Sequence, residues 1–319
     1  MKTTLFLVLF VLCFVNGRSA ADEGAKPAEL PGAITQFRND AVVLPDLTNA
    51  VQFRLYANAS PDSPRLFNTI EIEAYGEVLL LSPGGDALKR WLATSPTNAS
   101  LHNILVNGAG PQLALTNSMM VIEQASGPDW RYIALDASSA YRGRLEQFKR
   151  GILFVEPDLF VLYDHLIAKD PVSFQMLLHP PAATRLDSTW RDLRLDLPNE
   201  AFQICAPAGQ HALRSWERLE SVADSILPGT VTMQLGPTNK LAQVDLLTVF
   251  AVYRGGEKKN YAFKLLESNN AVGARIHREG LPTLVAFKTD PAAGKASLTG
   301  FPFNGPVGVY VFKPKPIKP

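Results

Sequence analysis

Cysteine is nearly absent from this 319-residue chain: there are two, Cys13 and Cys205. Cys13 sits in an apolar N-terminal run, so a chain cleaved after that run keeps a single thiol, and no internal disulfide can hold its fold. A net charge is also lacking. Lys+Arg 31 against Asp+Glu 30 gives +1, which excludes the broadly basic surface of a general nucleic-acid binder. After the N-terminus no apolar run approaches the ~20 residues that span a bilayer, so no membrane span is expected. There is no phosphate-binding glycine loop, no dinucleotide fingerprint, no paired C-x-x-C, no G-x-S-x-G and no H-E-x-x-H.

What is present begins with an export pattern. Lys2 supplies a positive start, Leu5 to Val15 is an uninterrupted apolar run of eleven residues, and Asn16 to Ala21 is mostly small. Such a tripartite segment is expected to be a cleaved secretory signal over residues 1–21, making the protein secreted or periplasmic. Its removal takes Lys2 and Arg18 with it and leaves the mature balance at −1. Residues 22–31, rich in Ala, Pro and charge, read as a flexible leader. Residues 313–319, alternating Lys and Pro, read as a basic tail.

Between these ends the rhythm is that of strands. Val51 to Tyr56 and Thr69 to Tyr75 alternate with period two, and Val78 to Leu81 is fully apolar. Ile104-Leu105-Val106 runs into Asn107-Gly108, a hairpin signal. Gly151 to Val155, Leu159 to Tyr163, Phe174 to Leu178, Leu246 to Val252, Leu284 to Phe287 and Val307 to Phe312 follow. Pro157-Asp158, Pro180-Pro181, Gly255-Gly256 and Asn269-Asn270 punctuate them. Only Asp86 to Ala93 reads as helix. Many short strands with regular turns predict an all-β fold, a large antiparallel β-sandwich with little helix, over residues 32–312. Cys205, in the alternating Phe202 to Cys205, is expected to be a small buried hydrophobe.

The segment Ser100-Leu101-His102-Asn103-Ile104-Leu105-Val106-Asn107-Gly108-Ala109-Gly110, with Gln112 close behind, resembles the H-N-T…V-(D/N)-G-x-G-Q stretch in the C-terminal β-sandwich of heparinase II/III-like polysaccharide lyases. The resemblance continues through Leu135 to Tyr141, Phe148 to Val155 and Leu159 to Leu166. Upstream it takes in Arg38-Asn39-Asp40 and Glu73 to Gly84, so that it covers roughly residues 33–180. It implies the sandwich fold. Family members also carry an N-terminal (α/α) toroid that supplies a catalytic tyrosine, and here only the signal and leader precede the sandwich.

The family's sandwich zinc is held by an H-x-H-x-D segment, an aspartate before Pro-Gly and the histidine of H-N-T. The corresponding positions here are Asp62 to Leu66, which holds no histidine, then Ser82 and His102. Zinc needs three or four converging N, S or O donors, so no metal or other cofactor is expected. A lyase acting on a uronic acid must neutralise a carboxylate, remove the C5 proton and protonate the leaving oxygen. What the resemblance leaves for those roles is His102 and Tyr141 as catalytic candidates, with Asn103, Arg142 and Arg144 as substrate-binding candidates. Arginine forks suit carboxylates and sulfates.

Each has a plainer reading. His102 can be a hydrogen-bonded residue at a strand start, Tyr141 an amphipathic core residue with its hydroxyl near the surface, and Arg142-Gly143-Arg144 a solvated loop. His165 and His179, at strand ends, and His211 and His277, in polar segments, read as surface or capping residues. Trp91, Trp130, Trp190 and Trp216 read mostly as core or rim. Asn58-Ala59-Ser60 and Asn98-Ala99-Ser100 match glycosylation sequons, useful only in a eukaryotic host.

Three functions follow, in descending order. The first is a secreted heparinase-like sandwich that recognises an acidic, uronate-containing polysaccharide with catalysis reduced or lost. The second is an active polysaccharide lyase, alone or with a separately encoded toroid protein as partner. The third is a structural subunit of an envelope or matrix.

Overall fold

The computed structural model describes residues 36–38, 41–45, 51–56, 68–74, 77–80, 103–112, 119–178, 185–186, 193–196, 201–209, 219–223, 231–237, 239–254, 262–277 and 282–312. The expected signal, leader, tail and Asp86–Ala93 helix, together with Pro180-Pro181, Gly255-Gly256 and both sequons, lie outside these residues.

Every strand pairing is antiparallel, and the described residues are almost entirely strand. β1 (Gln36–Arg38), β2 (Ala41–Pro45), β3 (Val51–Tyr56), β4 (Ile70–Ala74) and β5 (Glu77–Leu80) form a five-stranded meander in chain order. β6 (Ile104–Val106) joins β11 (Phe174–Leu178), β16 (Val231–Leu235) and β15 (Leu219–Ala223) in a four-stranded sheet.

The central sheet has eight strands. Its middle is β17 (Leu241–Arg254), β10 (Leu159–Val172) and β9 (Gln147–Val155). β8 (Trp130–Asp136) and β7 (Met120–Gly127) complete one side, and β14 (Ala201–Gly209), β13 (Leu193–Asp196) and β12 (Arg185–Leu186) the other. A second four-stranded sheet contains β18 (Ala262–Ser268), β19 (Ala271–His277), β20 (Thr283–Lys288) and β23 (Val307–Val311). A small hairpin, β21 (Ala296–Leu298) and β22 (Phe301–Phe303), lies against its outer face.

The long apolar runs Gly151–Val155 and Leu159–Tyr163 are explained by burial on both faces. Side chains alternate across a strand. Phe148, Ile152, Phe154, Phe160 and Leu162 therefore meet Phe53, Ile70, Ile104 and Phe174 of the first two sheets in one core. Leu153, Val155, Val161 and Tyr163 turn the other way and meet Val272, Val285 and Phe287 in a second core. Ring stacking marks both: Phe154 on Phe160 at 4.6 Å, and Tyr163 on Phe287 at 4.6 Å. The architecture is a β-sandwich, as expected, with a further layer added by the sheet of β18 to β23.

The Asn107-Gly108 turn is real but does not lead into a strand. Both residues have positive φ, 50° and 76°, as a two-residue hairpin turn requires, and Val106 and Ala109 exchange both backbone hydrogen bonds. The ladder stops there. The Ala109 carbonyl accepts from Arg144 as well as from Val106, the Gly110 carbonyl accepts from Arg144, and Pro111 has no N–H to continue the ladder. β6 takes β11 as its partner.

Candidate functional site

Asn103 opens β6, and Tyr141 closes a single 3-10 turn, Ser138–Tyr141, between β8 and β9. The fold brings these two together. The Tyr141 hydroxyl lies 2.8 Å from Asn103 Oδ1 and 2.7 Å from the Ile104 carbonyl, and neither side chain is exposed. The same Asn103 oxygen accepts from Asn68 Nδ2 at 2.8 Å and from the Ile104 backbone N–H at 3.0 Å. The hydroxyl therefore does not sit near the surface. Burial raises the Tyr141 pKa well above the ordinary tyrosine value, with the positive charge of Arg150 opposing that rise.

Beneath this pair lies an ion pair that no sequence motif signals. Arg150, on β9, donates through Nε and Nη2 to the two carboxylate oxygens of Asp164 on β10, at 2.7 and 2.8 Å. Its Nη1 reaches the Asn68 carbonyl at 2.5 Å. One buried polar chain therefore joins the turn before β4, the start of β6, the 3-10 turn and the middle of the central sheet. Charged residues inside two largely apolar strands were the available clue.

The two arginines beside Tyr141 part company. Arg142 is exposed. Gly143, with φ 76°, turns the chain so that Arg144 folds back. Its guanidinium rests 5.4 Å over the Tyr141 ring and donates to the carbonyls of Ala109 and Gly110 at 2.7 and 2.5 Å. His102, Ser82 and Asp62 to Leu66 lie outside the described residues. Among the described residues no three His, Cys, Asp or Glu side chains gather as a metal site would require.

A second buried polar group occupies the opposite face of the central sheet. His165 is not a surface or capping residue. It lies inside β10, almost fully buried, with Nδ1 2.7 Å from Asp245 Oδ1. The same oxygen accepts from the Tyr163 hydroxyl at 2.7 Å, while Asp245 Oδ2 is buried without a hydrogen-bond partner. Lys149 stands over the Tyr163 ring and bridges to Glu123, which also accepts from the Tyr132 hydroxyl at 3.0 Å. Burial, reinforced by the neighbouring carboxylates, raises the pKa values of Tyr132 and Tyr163.

Among the remaining sequence candidates, His277 is exposed on β19 and Trp130 is partly buried against the second core. Cys205 falls on β14, in register with Phe250. His179, His211, Trp91, Trp190 and Trp216 lie outside the described residues.

No family model and no curated protein matches the sequence. Solved structures match in fold. Heparinase III aligns over 78% of this chain and 41% of its own, at 13% identity and a TM-score of 0.58. The heparan sulfate lyase HepC from Pedobacter heparinus aligns over 82% of this chain and 44% of its own, at 12% identity and a TM-score of 0.56. A further heparinase III gene product covers 89% of this chain and 43% of its own, at 12% identity and a TM-score of 0.56. The chain thus has the β fold of a polysaccharide-lyase structure and spans about two fifths of the length of those it matches.

Proposed function

We propose, from this heparinase-type fold, that the chain is an exported β-sandwich that recognises an acidic, uronate-containing polysaccharide, with catalysis by its own residues reduced or lost. The observation that carries the loss is the position of Tyr141. A general acid or base must reach the proton it moves. The Tyr141 hydroxyl is enclosed in the core, held to Asn103 and Ile104, and has a raised pKa, so the phenolate is disfavoured where a base is needed. Asn103 and Arg144 are committed to internal partners, which leaves Arg142 as the exposed cation of the set.

The positions that would carry the family's zinc supply one imidazole, His102, beside Ser82 and a histidine-free Asp62 to Leu66. That donor set does not fit the ion, and no step is assigned to it. The reading of residues 1–21 as a signal supports a secreted or periplasmic location.

One comparison favours a second reading, a lyase completed by a separate toroid protein. The matched stretch is under half of each heparinase structure. The test is a panel of heparin, heparan sulfate, alginate, hyaluronan and chondroitin. It is assayed for the ultraviolet absorbance of unsaturated uronate and, in parallel, by affinity electrophoresis. Retardation without product is the expected result. Product from the purified chain overturns the loss of catalysis, and neither signal directs the search to a structural partner.

A further inference from the structure

The outer face of the sheet β18-β19-β20-β23 is covered in part by the β21–β22 hairpin, where Leu298 and Phe303 pack with Ala271, Leu284 and Ala286, but at β18 and β19 it carries exposed cations that this packing does not explain. Val272, Ala274, Ile276, Val285 and Phe287 point into the second core. By the period-two alternation their neighbours point outward. Outward positions on these strands are Ala262, Lys264, Leu266 and Ser268, then Ala271, Gly273, Arg275 and His277, then Leu284, Ala286 and Lys288, then Gly308 and Tyr310. None is acidic.

Lys264 and Arg275 are direct cross-strand partners, and both are exposed. Like charges placed directly opposite on adjacent strands disfavour the sheet. Among the described residues neither has a carboxylate partner to relieve this. His277 adds a third exposed nitrogen base two residues along β19. Lys288 is different: its ammonium is buried and donates to the carbonyls of Ala293, Gly294 and Asn304 at 2.9, 3.3 and 2.7 Å.

The same row continues into aromatics. Arg275 pairs with Leu284, and Leu284 with Tyr310. Phe301, from the covering hairpin, has its ring 5.0 Å from that of Tyr310 and 5.5 Å from that of Phe312, all three half-buried. Four strands at about 4.8 Å spacing make this row about 14 Å long, cationic at one end and aromatic at the other, with Leu284 between them buried in the cluster under the hairpin.

We propose that this face is a binding site for an acidic polysaccharide. Lys264 and Arg275 take carboxylate or sulfate groups, and the Tyr310–Phe301–Phe312 cluster takes the C–H face of a sugar ring. The occupant is argued from charge complementarity. An anionic group midway between the two cations relieves their repulsion, and ring faces alternating with anionic groups match a row that changes from charge to aromatic. The inference deepens the recognition reading above by giving it a surface away from Tyr141 and Arg142.

The test compares the full chain, the double variant Lys264→Gln with Arg275→Gln, and Arg142→Gln. It uses affinity electrophoresis in heparin, heparan sulfate and alginate, with dextran as a neutral control and circular dichroism as a check on folding. Both replaced residues are exposed, so the fold is retained. The double variant is expected to lose about tenfold in affinity, two exposed ion pairs' worth, and the loss shrinks as salt rises. Equal retardation of the double variant, with loss in Arg142→Gln, overturns this site and leaves polysaccharide recognition standing. A full chain that no acidic glycan retards overturns both. In a parallel sedimentation assay, binding to phosphatidylserine vesicles without retardation by any glycan overturns the choice of ligand.

Discussion

Arg150 and Asp164 stand directly opposite each other on β9 and β10 and share two hydrogen bonds, Nε to Oδ1 at 2.7 Å and Nη2 to Oδ2 at 2.8 Å, with both side chains buried. Removing one member leaves a charge in the core without its counter-ion. Asp164→Asn is expected to cost about 3–5 kcal/mol in urea unfolding. A joint Arg150→Met and Asp164→Leu replacement is expected to cost less than that single change, because it removes both charges together. A double variant less stable than Asp164→Asn would refute this account.

Tyr141→Phe separates structure from catalysis. The hydroxyl shares its one proton between the buried Ile104 carbonyl and Asn103 Oδ1, which also accepts from Asn68 and the Ile104 N–H. Its loss is expected to lower stability by about 1–2 kcal/mol, the cost of a buried acceptor left short of a donor. Glycan retardation should be unchanged. If Tyr141→Phe instead abolished binding, or abolished a lyase activity without moving the unfolding midpoint, the enclosed-hydroxyl reading would fail.

Gly151 tests the opposite face of the central sheet. The Tyr132 ring lies over it so closely that an added Cβ would come within 2.8 Å of both the ring edge and the hydroxyl. That hydroxyl is tethered to Glu123, so the ring cannot swing away without breaking the contact. Gly151→Ala is expected to destabilise by about 1–3 kcal/mol. Thermal melts of the variant against the parent check the value.

How far the sequence revealed this fold depended on where each strand lies. β9, β10 and β20 are largely buried and apolar, and β3 alternates buried Phe53 and Leu55 with half-buried Arg54 and Tyr56, so composition exposes them. β7 and β18 lie at sheet edges, where outward positions such as Gln124, Ser126 and Lys264 are polar and mask the pattern. The sandwich fold was legible because the order and spacing of the strands resemble a known one.

The site was less so. Proximity of Asn103 to Tyr141 follows from pairing between distant segments, and nothing local distinguishes an enclosed tyrosine hydroxyl from an exposed one. His165 was misread because its partner, Asp245, is eighty residues away and meets it only through the β10–β17 register.

Thr299 carries a correctable local strain. It sits in the turn between β21 and β22 at φ 50°, followed by Gly300 at φ 86°. A β-branched side chain is ill suited to this left-handed region, which asparagine enters readily. Thr299 is exposed, so replacement removes no core contact. Thr299→Asn is expected to stabilise by on the order of 1 kcal/mol, read as a raised melting temperature. A lowered one would show that the threonine side chain holds the turn.

Alkali should unfold this protein through its tyrosines. Tyr132, Tyr141 and Tyr163 are buried, and burial raises each pKa in the folded state. In the unfolded chain a tyrosine ionises near pH 10. Below that pH both states hold the phenolic proton, so stability does not depend on it. Above it the unfolded chain releases protons that the folded chain retains, and folding weakens by about 1.4 kcal/mol per pH unit for each such tyrosine until its folded pKa is reached. Stability is therefore expected to be lost steeply as pH rises above about 10, with phenolate absorbance appearing together with the loss of near-ultraviolet dichroism. Replacing Tyr163 by Phe removes one of these protons and should make the decline less steep. Tyrosines that ionise near pH 10 before any unfolding would mean that the hydroxyls of the two buried networks are open to solvent.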